Sequence, residues 1–412
     1  MLEYIIVADD YTGAAETAAK FMNGGYRPAI TLDIGSLGAM SGYPAVALDT
    51  ETFFSPPEVA ARKLTGVGRS LLPWKNSATI FKRIEPGLRG NAGPEVCAMS
   101  RILGFDWVIV VPAFSRGRRS IEEGTLYLDA QDQENIPALI PTTTRSATLE
   151  AMVGALSREG MNPKAVTQED IREGRVSEIV AKKGCFCFDA ETDEDLKMIV
   201  KGVLKLTPAR NVLWVGAMGL AEALATAPRP FVVVVGTAHP RSIRQARQLL
   251  EQAMVSPVQL TADVLSLDAE TIAAARARAT SEAEELLRCG QSVLLAATIN
   301  ERFVRGQYPN DDIDAFLGFL ADTVREILGR VRIGGLCVTG GDCAVRIFQR
   351  ARAESLIMLE EIQEGITLSE MKGGTFDGLR MITKSGQLGG ERALVHCMEY
   401  FLQDMQEHQE HH

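Results

Sequence analysis

The chain has 412 residues, which is too long for one ordinary hydrophobic core and predicts two domains. Hydrophobic residues make up 46% of the sequence and charged residues 23%, as in ordinary globular proteins, which argues against extensive disorder. The net charge of −10 opposes broad attraction to nucleic acid or anionic lipid, so an anionic ligand must be held by local positive charges.

The start of the chain and its cysteines indicate a cytoplasmic protein. The first predicted strand begins almost at Met1, with no basic or long apolar segment before it, which argues against export. Apolar runs such as 231–235 are far shorter than the roughly 20 residues of a membrane-spanning helix. Cys185 and Cys187 alternate with aromatic residues and do not form a C-x-x-C motif, so we expect reduced thiols and no metal site.

Short β-branched runs alternate with Ala-, Leu- and charge-rich stretches along the whole chain. This alternation predicts an α/β fold with two domains, each a mostly parallel sheet flanked by helices. Strands are predicted at residues 4–9, 28–33, 45–50, 78–84, 107–112, 185–190, 212–216, 231–236, 292–298 and 335–340. Helices are predicted at 218–225, 240–254, 268–289 and 312–331. Two prolines, Pro228 and Pro230, separate a helix from a new strand and predict domains at 1–227 and 228–405, with a disordered tail at 406–412.

The segment VADDYTGAAETAAKF, residues 7–21, places two acids between a predicted strand and a predicted helix. Asp9 and Asp10 then lie at the carboxyl end of a β-strand, where ligands usually bind in open α/β sheets. Either acid alone is equally well explained as a helix cap. Backbone N–H groups at 12–14 can also hold a carboxylate or phosphate at the helix N-terminus.

The next motif, IFKRIEPGLRGNAGPEV at residues 80–96, collects basic residues around a glycine-framed turn. The guanidinium of Arg89 suits bidentate capture of a carboxylate, and Asn91 can bind hydroxyl groups. In the alternative interpretation, these basic residues belong to a solvated loop and pair with Glu85 and Glu95. A third motif, PAFSRGRRS at residues 112–120, contains Arg119 and follows a predicted strand, where its arginines form either a loop that binds anions or a solvated charged surface.

Three small-residue turns follow predicted strands in the second half. Thr237 and His239 lie in the first turn, and Gly340 and Gly341 in the second, where backbone can approach a phosphate at a helix N-terminus. Lys384 precedes the third turn. Its side chain is expected either to balance the charge of a phosphate or only to end the preceding strand. None of the turns matches a Walker or dinucleotide motif, but three in one domain favour a nucleotide.

Together these motifs resemble the four-carbon acid sugar kinase family over nearly the whole chain. VADDYTGA, TGGDCA and KSGQLG match the family's motifs, and GTAHPRSIRQ is similar to another of its segments. The resemblance implies a sugar-acid-binding domain at 1–227, a nucleotide-binding domain at 228–405, and the substrates ATP and a small sugar acid, with Mg²⁺. The partners expected are these small molecules and no nucleic acid or membrane, and the sequence leaves open whether the chain forms a homodimer.

The resemblance also implies roles for individual residues. Asp10 is expected to be the catalytic base or to orient the attacking hydroxyl, and Arg89 and Asn91 are expected to bind the sugar acid, with Asp9 and Arg119 near it. The nucleotide is expected to contact Thr237, His239, Gly340, Gly341, Asp342, Lys384, Ser385, Gly386 and Gly389.

The chain departs from the family pattern in the loop before Arg89. Glu85, Pro86 and Gly87 replace the family's D-S-T, and Ser115 stands where the family usually has proline. These changes leave the substrate open, so a kinase for another class of sugar acid or a non-catalytic sensor are alternatives. An aldolase, isomerase or dehydrogenase would need a Schiff-base lysine, a metal cluster or a dinucleotide motif, and none is visible in the sequence.

Overall fold

The chain forms two compact units, Met1–Ala227 and Pro228–His412. The computed structural model describes residues 2–86, 89–111, 119–122, 125–128, 149–237, 239–260, 268–296 and 310–410. Each unit contains one mostly parallel sheet with helices packed against it, so the predicted fold class is confirmed. Within the described ranges, no helix is long and apolar enough to cross a membrane.

The sheet of the first unit is entirely parallel. Its strands are β1 (Tyr4–Ala8), β2 (Pro28–Thr31), β3 (Ala45–Asp49), β4 (Thr79–Arg83), β5 (Trp107–Val111), β8 (Pro163–Val166), β9 (Gly184–Phe188) and β10 (Val212–Gly216). They lie in the order β2-β3-β1-β4-β10-β5-β9-β8. A separate antiparallel pair is formed by β6 (Arg119–Glu122) and β7 (Thr125–Leu128).

Helices cover both faces of this sheet. They are α1 (Tyr11–Asn23), α2 (Pro57–Leu71), α3 (Ala92–Leu103), α4 (Leu149–Arg158), α5 (Gln168–Arg172), α6 (Val176–Ile179), α7 (Asp193–Leu204) and α8 (Met218–Ala225), with 3-10 turns at Ile34–Gly38, Leu72–Trp74 and Ala209–Asn211. Successive strand residues face opposite cores: Ile6 and Ala8 pack with residues of α1, and Ile5 and Val7 pack with residues of α2 and α3. The strands are therefore buried on both sides, as parallel sheets require.

The second unit repeats part of this arrangement. Its strands are β11 (Phe231–Val235), β12 (Ser256–Gln259), β13 (Val293–Ala296), β14 (Gly335–Thr339), β15 (Ser355–Gln363), β16 (Ile366–Lys372) and β17 (Arg380–Lys384), in the order β12-β13-β11-β14-β17-β16-β15. Its helices are α9 (Pro240–Glu251), α10 (Ala269–Arg288), α11 (Asn310–Leu328), α12 (Gly341–Ala351) and α13 (Ala393–Glu410). Among the described strands of this sheet, β16 runs antiparallel to both of its neighbours, β15 and β17, and the other adjacent pairs are parallel.

All ten predicted strands are present, but several further strands were not predicted. Three of these, β8, β12 and β15, lie at sheet edges and pair with a neighbouring strand on one side only. They were missed because edge strands carry polar residues that interrupt the apolar pattern. The adjoining β16 and β17 were also missed. The last helix continues to Glu410, through much of the segment predicted as a disordered tail, because good helix formers follow Tyr400.

The first four strands of each unit have the same spatial order, β2-β3-β1-β4 and β12-β13-β11-β14. The chain leaves β1 towards β2 on one side, whereas it leaves β4 towards β5 on the other side. It diverges in the same way from β11 and β14. The adjacent strands β1 and β4 therefore flank one topological switch point, and β11 and β14 flank another. At such points α/β sheets bind ligands at the carboxyl ends of their strands.

A buried ion pair ties β4 to α3 beside the first switch point. Lys82 Nζ lies 2.7 Å from Glu95 Oε2 and donates a hydrogen bond to the carbonyl of Arg83 at 2.8 Å. Both side chains are buried, and Glu95 Oε1 has no hydrogen-bond partner in the described part of the chain. Loss of one partner would leave the other charge uncompensated in the core.

We expect Lys82→Met to lower the free energy of unfolding by about 3–5 kcal/mol, because it leaves the Glu95 carboxylate buried without its cation. The double variant Lys82→Met/Glu95→Leu should recover most of this loss, since apolar replacement of a whole buried pair is often neutral. Urea denaturation followed by circular dichroism measures both. A double variant as unstable as the single one would contradict this account.

Candidate functional site

Asp10 begins α1 at the end of β1. Its backbone is extended, and its Oδ1 accepts a hydrogen bond from Gly13 N at 2.6 Å, as an N-cap side chain does. The helix-capping explanation therefore applies to Asp10. Its side chain is nevertheless 38% exposed, and its second oxygen, Oδ2, forms no hydrogen bond with the described residues. The carboxylate is fixed at one oxygen and available at the other.

Asp9 is an internal anchor. Its side chain is 4% exposed, and its Oδ1 accepts a hydrogen bond from Arg83 Nη1 at 2.7 Å. Its backbone carbonyl accepts hydrogen bonds from the backbone N–H groups of Thr52 at 2.8 Å and Phe53 at 3.1 Å. Asp9 thus joins the ends of β1, β3 and β4, and its carboxylate faces a guanidinium.

Arg83 was not assigned a role from the sequence. It ends β4, and its Nη1 lies 3.7 Å from Asp10 Oδ1, while its Nη2 lies 3.9 Å from Glu16 Oε2. A Cβ atom at Gly13 would come within 2.3 Å of Arg83 Cζ. The glycine of the Thr-Gly turn therefore makes room for this guanidinium. Gly13 was the feature of the sequence that could have indicated a bulky group packed against the start of α1.

Arg89 is paired with Glu85. Its Nη2 donates to Glu85 Oε1 at 3.0 Å, and its backbone N donates to Glu85 Oε2 at 3.2 Å. The guanidinium also lies 5.9 Å from the centre of the Phe53 ring. The hydrogen bond to Glu85 raises the pKa of Arg89. The alternative interpretation of a pairing loop thus holds for Arg89, yet its side chain remains 42% exposed.

Asn91 holds the loop after β3 against α3. Its Nδ2 donates to the carbonyls of Thr52 at 2.9 Å and Ser55 at 2.8 Å. Both amide protons are thereby used, and only the acceptor Oδ1 is left to bind a ligand hydroxyl. Arg119 begins β6, and its side chain lies outside the described part of the chain.

Asp49 is a buried acid beside these groups that the sequence did not single out. It ends β3, and its Oδ1 accepts a hydrogen bond from Glu51 N at 2.8 Å. Burial raises the pKa of Asp49, and the nearby charges of Glu51 and Asp10 add to the increase. The carboxyl ends of β1, β3 and β4 thus collect more acids than cations.

In the second unit, the glycines after β11 and β14 allow a close backbone crossing. Gly340 has φ +95° and donates its N–H to the carbonyl of Lys384 at 3.0 Å. A Cβ atom at Gly340 would come within 2.9 Å of the carbonyl oxygen of Gly236. Gly341 and Asp342 then begin α12, whose first N–H groups lack partners within the helix.

Thr237, His239 and Gly386 meet at this edge. Thr237 Oγ1 accepts a hydrogen bond from His239 N at 3.2 Å, and His239 Nδ1 accepts one from Arg241 N at 3.2 Å to cap α9. A Cβ atom at Gly386 would come within 2.7 Å of Thr237 Oγ1. The structure therefore brings together residues predicted from two separate motifs.

Side chains of α9 hold the loop 386–390 by its carbonyl groups. Ser242 Oγ donates to the carbonyl of Gly386 at 2.8 Å, and Arg241 Nη1 donates to that of Gln387 at 2.7 Å. Gln245 Nε2 lies within hydrogen-bonding distance of the carbonyls at 388, 389 and 390, the shortest at 2.7 Å. Gln245 had no predicted role, although its spacing from the turn at 236–239 was visible in the sequence. These contacts fix the path of the loop that contains Gly389.

Lys384 points into the second unit. Its side chain is buried, and its Nζ donates to the carbonyl of Ser385 at 2.9 Å. Burial lowers the pKa of Lys384. The ammonium group is thus held beneath the turn at 385–389, whereas Ser385 is exposed.

The second edge suits a polyphosphate. The N-terminus of α12 offers backbone donors, and the positive end of its dipole favours an anion. Thr339 Oγ1, immediately before Gly340, is buried and has no hydrogen-bond partner among the described residues. The described residues contain no group of three or more histidine, cysteine or acidic side chains that could hold a metal ion.

Two family models match the chain. Residues 4–224 match the model of a sugar-binding N-terminal domain, and residues 232–394 match that of a nucleotide-binding C-terminal domain. The chain is 28% identical to a D-threonate kinase of Cupriavidus necator, over 97% of this chain and 98% of that protein. It is 27% identical to a D-erythronate kinase of Heliobacterium modesticaldum, over 98% of each chain.

Two further relatives complete the comparison. A 3-oxo-tetronate kinase of Methylobacterium radiotolerans is 26% identical, over 93% of this chain and 96% of that protein. A crystal structure from Bordetella bronchiseptica, described as a domain-swapped dimer with bound citrate, is 24% identical with a TM-score of 0.50. The match covers 97% of this chain and 98% of that one, and it supports the fold alone.

The raised pKa of Asp49 predicts a pH-dependent stability. A carboxyl group whose pKa is raised by folding contributes stability that is fully present below its unfolded value of about 3.9 and is lost as the pH rises through the folded value. Asp49→Asn removes this effect and keeps an acceptor for Glu51 N. We therefore expect the variant to gain stability relative to the wild type as the pH rises from about 4 to about 7. Urea denaturation across this range measures the difference, and a pH-independent difference would refute the prediction.

Proposed function

The chain belongs to the four-carbon acid sugar kinase family, and we propose that it transfers the γ-phosphoryl group of ATP to a hydroxyl group of a four-carbon sugar acid. The observation that carries this proposal is the Asp10 carboxylate. It lies at the switch point of the sugar-binding domain, is fixed at one oxygen, and remains partly exposed. Phosphoryl transfer to an alcohol needs such a carboxylate to accept or orient the hydroxyl proton.

Arg89 and Asn91 are the proposed acceptor contacts in the same domain. The exposed guanidinium of Arg89 can bind a substrate carboxylate, and Asn91 Oδ1 can accept a hydrogen bond from a substrate hydroxyl. We assign Asp9 to holding these strand ends together, given its burial against Arg83. Arg119 remains part of the proposal on the strength of its motif.

ATP is proposed to bind at the carboxyl ends of β11, β14 and β17. The N-terminus of α12 and the glycines of the two loops can contact the phosphates through backbone N–H groups. The residues assigned to this role are Thr237, His239, Gly340, Gly341, Asp342, Ser385, Gly386 and Gly389. Lys384 would act from beneath the loop, through its hydrogen bond to the carbonyl of Ser385. When bound, Mg²⁺ neutralises phosphate charge.

A kinase for a different acceptor is the second candidate. The observation in its favour is that Glu85 already occupies two hydrogen bonds of Arg89. A substrate carboxylate would have to compete with this internal carboxylate, or bind at the remaining donors of the guanidinium. An acceptor with less negative charge would avoid that competition.

We also propose that the protein is cytoplasmic and that it forms a homodimer. All seven cysteines are free thiols, which is compatible with a reducing compartment. The domain-swapped dimer described for the Bordetella bronchiseptica protein makes self-association worth measuring by light scattering.

The first test is ADP release with Mg²⁺ and ATP across threonate, erythronate and their 2- and 3-oxo forms. We expect one acid to give strong turnover, and Asp10→Asn to lower kcat on it by about 100-fold or more, because the proton acceptor is lost. Asparagine also caps helices, so the variant should stay folded.

Asp33→Asn is the matched control, since Asp33 also caps a helical turn in this domain, through Gly35 N at 2.9 Å. Normal turnover by Asp10→Asn would disprove the role of Asp10. ATP binding without ADP release on any acid would favour the sensor or a different acceptor.

Gln245→Leu should raise the KM for ATP by roughly tenfold and leave the KM for the acid unchanged. Its amide holds the carbonyls at 388–390, and each such hydrogen bond contributes about 1 kcal/mol. Gln248→Leu is the control, because Gln248 lies on the same helix and its side chain donates a hydrogen bond to the exposed Glu251. Equal KM values for ATP in the two variants would argue against a nucleotide role for this loop.

A further inference from the structure

The guanidinium of Arg83 lies among three carboxylates at the carboxyl end of β4. It contacts Asp9 at 2.7 Å and lies 3.7 Å from Asp10 and 3.9 Å from Glu16. Three negative charges on two consecutive elements would repel one another without it. Arg83 is therefore the cation that allows Asp9 and Asp10 to stand side by side.

The position of Arg83 is fixed by its neighbours in the sheet. Arg83 pairs with Gly216 of β10, and the next residue, Ile84, donates its N–H to the carbonyl of Gly216 at 3.0 Å. The carbonyl of Arg83 accepts a hydrogen bond from the ammonium of Lys82 at 2.8 Å. Gly13 closes over the guanidinium, with no room for a side chain of its own. The charged group thus has little freedom to move away from the carboxylates.

The hydrogen bonding of Arg83 is incomplete for a residue that only stabilises the fold. Its Nε is buried and has no hydrogen-bond partner in the described part of the chain. Buried polar groups are almost always satisfied in native proteins, and exceptions are found at functional sites. The Nη atoms of the guanidinium face the carboxylates, whereas its Nε–H is left without a hydrogen bond among the described residues.

We propose that Arg83 is a positioning residue for Asp10. It holds Asp9 by a direct hydrogen bond and compensates the neighbouring charge, so that Asp10 keeps its capped geometry and offers Oδ2 to the acceptor hydroxyl. The inference rests on the proposed kinase activity and adds to it a residue that acts through Asp10 rather than on the substrate.

The test compares Arg83→Gln and Arg83→Lys with the wild type, using the acid that supports ADP release. Misplacing a reacting group by about 1 Å lowers turnover by about 100-fold. We expect Arg83→Gln to lower kcat by that factor with less than about a threefold change in KM for either substrate. Arg83→Lys should recover part of kcat, because an ammonium keeps the charge but loses the fork geometry.

Arg172→Gln is the control for stability. Arg172 is another arginine of this unit that bonds two carboxylates, Asp195 at 3.0 Å and Glu191 at 2.7 Å, away from the site. It should lose stability and keep kcat. If Arg83→Gln fails to fold, Gly13→Ala tests the same idea, because its Cβ would displace the guanidinium without removing it.

The outcomes separate the two proposals. A wild-type protein that releases no ADP on any acid would overturn both the kinase function and the role of Arg83. An active wild type with unchanged kcat in the folded Arg83 variant, or in Gly13→Ala, would overturn the role of Arg83 alone. Equal kcat in Arg83→Lys and Arg83→Gln would also overturn it, since only a structural role would remain.

Discussion

Burial of the parallel sheets on both faces is the constraint on which the rest of the structure depends. Helices cover both sides of each sheet, so polar side chains find few places along the strands. The carboxyl ends are the exception, because the loops there must cross from strand to helix. Two neighbouring loops diverge at each switch point, between β1 and β4 and between β11 and β14, and this divergence leaves space for a ligand.

The two units use the same strand order for different chemistry. At the first switch point the groups are charged side chains, with Asp9, Asp10 and Arg83 in direct contact or close to it. At the second, the groups are backbone atoms, and Gly340 and Gly386 keep side chains out of the way. Charged side chains suit proton transfer and the recognition of an acid, whereas backbone N–H groups suit phosphates. The strand order alone therefore did not dictate which domain binds which substrate.

The sequence was most informative where a local pattern determines local structure. Both glycine turns and the acids after β1 could be predicted, because a strand followed by small or acidic residues and a helix leaves few alternatives. The contact of Arg83 with Asp9 could not, since it depends on the pairing of β1 with β4 across more than seventy residues. The inward direction of Lys384 was equally hidden, because its register places Nζ beneath the turn. Edge strands such as β15 were missed because their exposed faces carry no apolar alternation.

Charge compensation at the first switch point sets limits on the acceptor. Arg83 is committed to Asp9, and Arg89 is committed in part to Glu85, so both of these cations already have carboxylate partners. An acid that binds here must share the guanidinium of Arg89 with Glu85. Pro86 follows Glu85 directly and restricts the backbone conformation of Glu85. On the proposed function, selectivity among sugar acids depends on the pair Glu85 and Arg89 as a unit, because a change at either residue alters the charge that the acceptor meets.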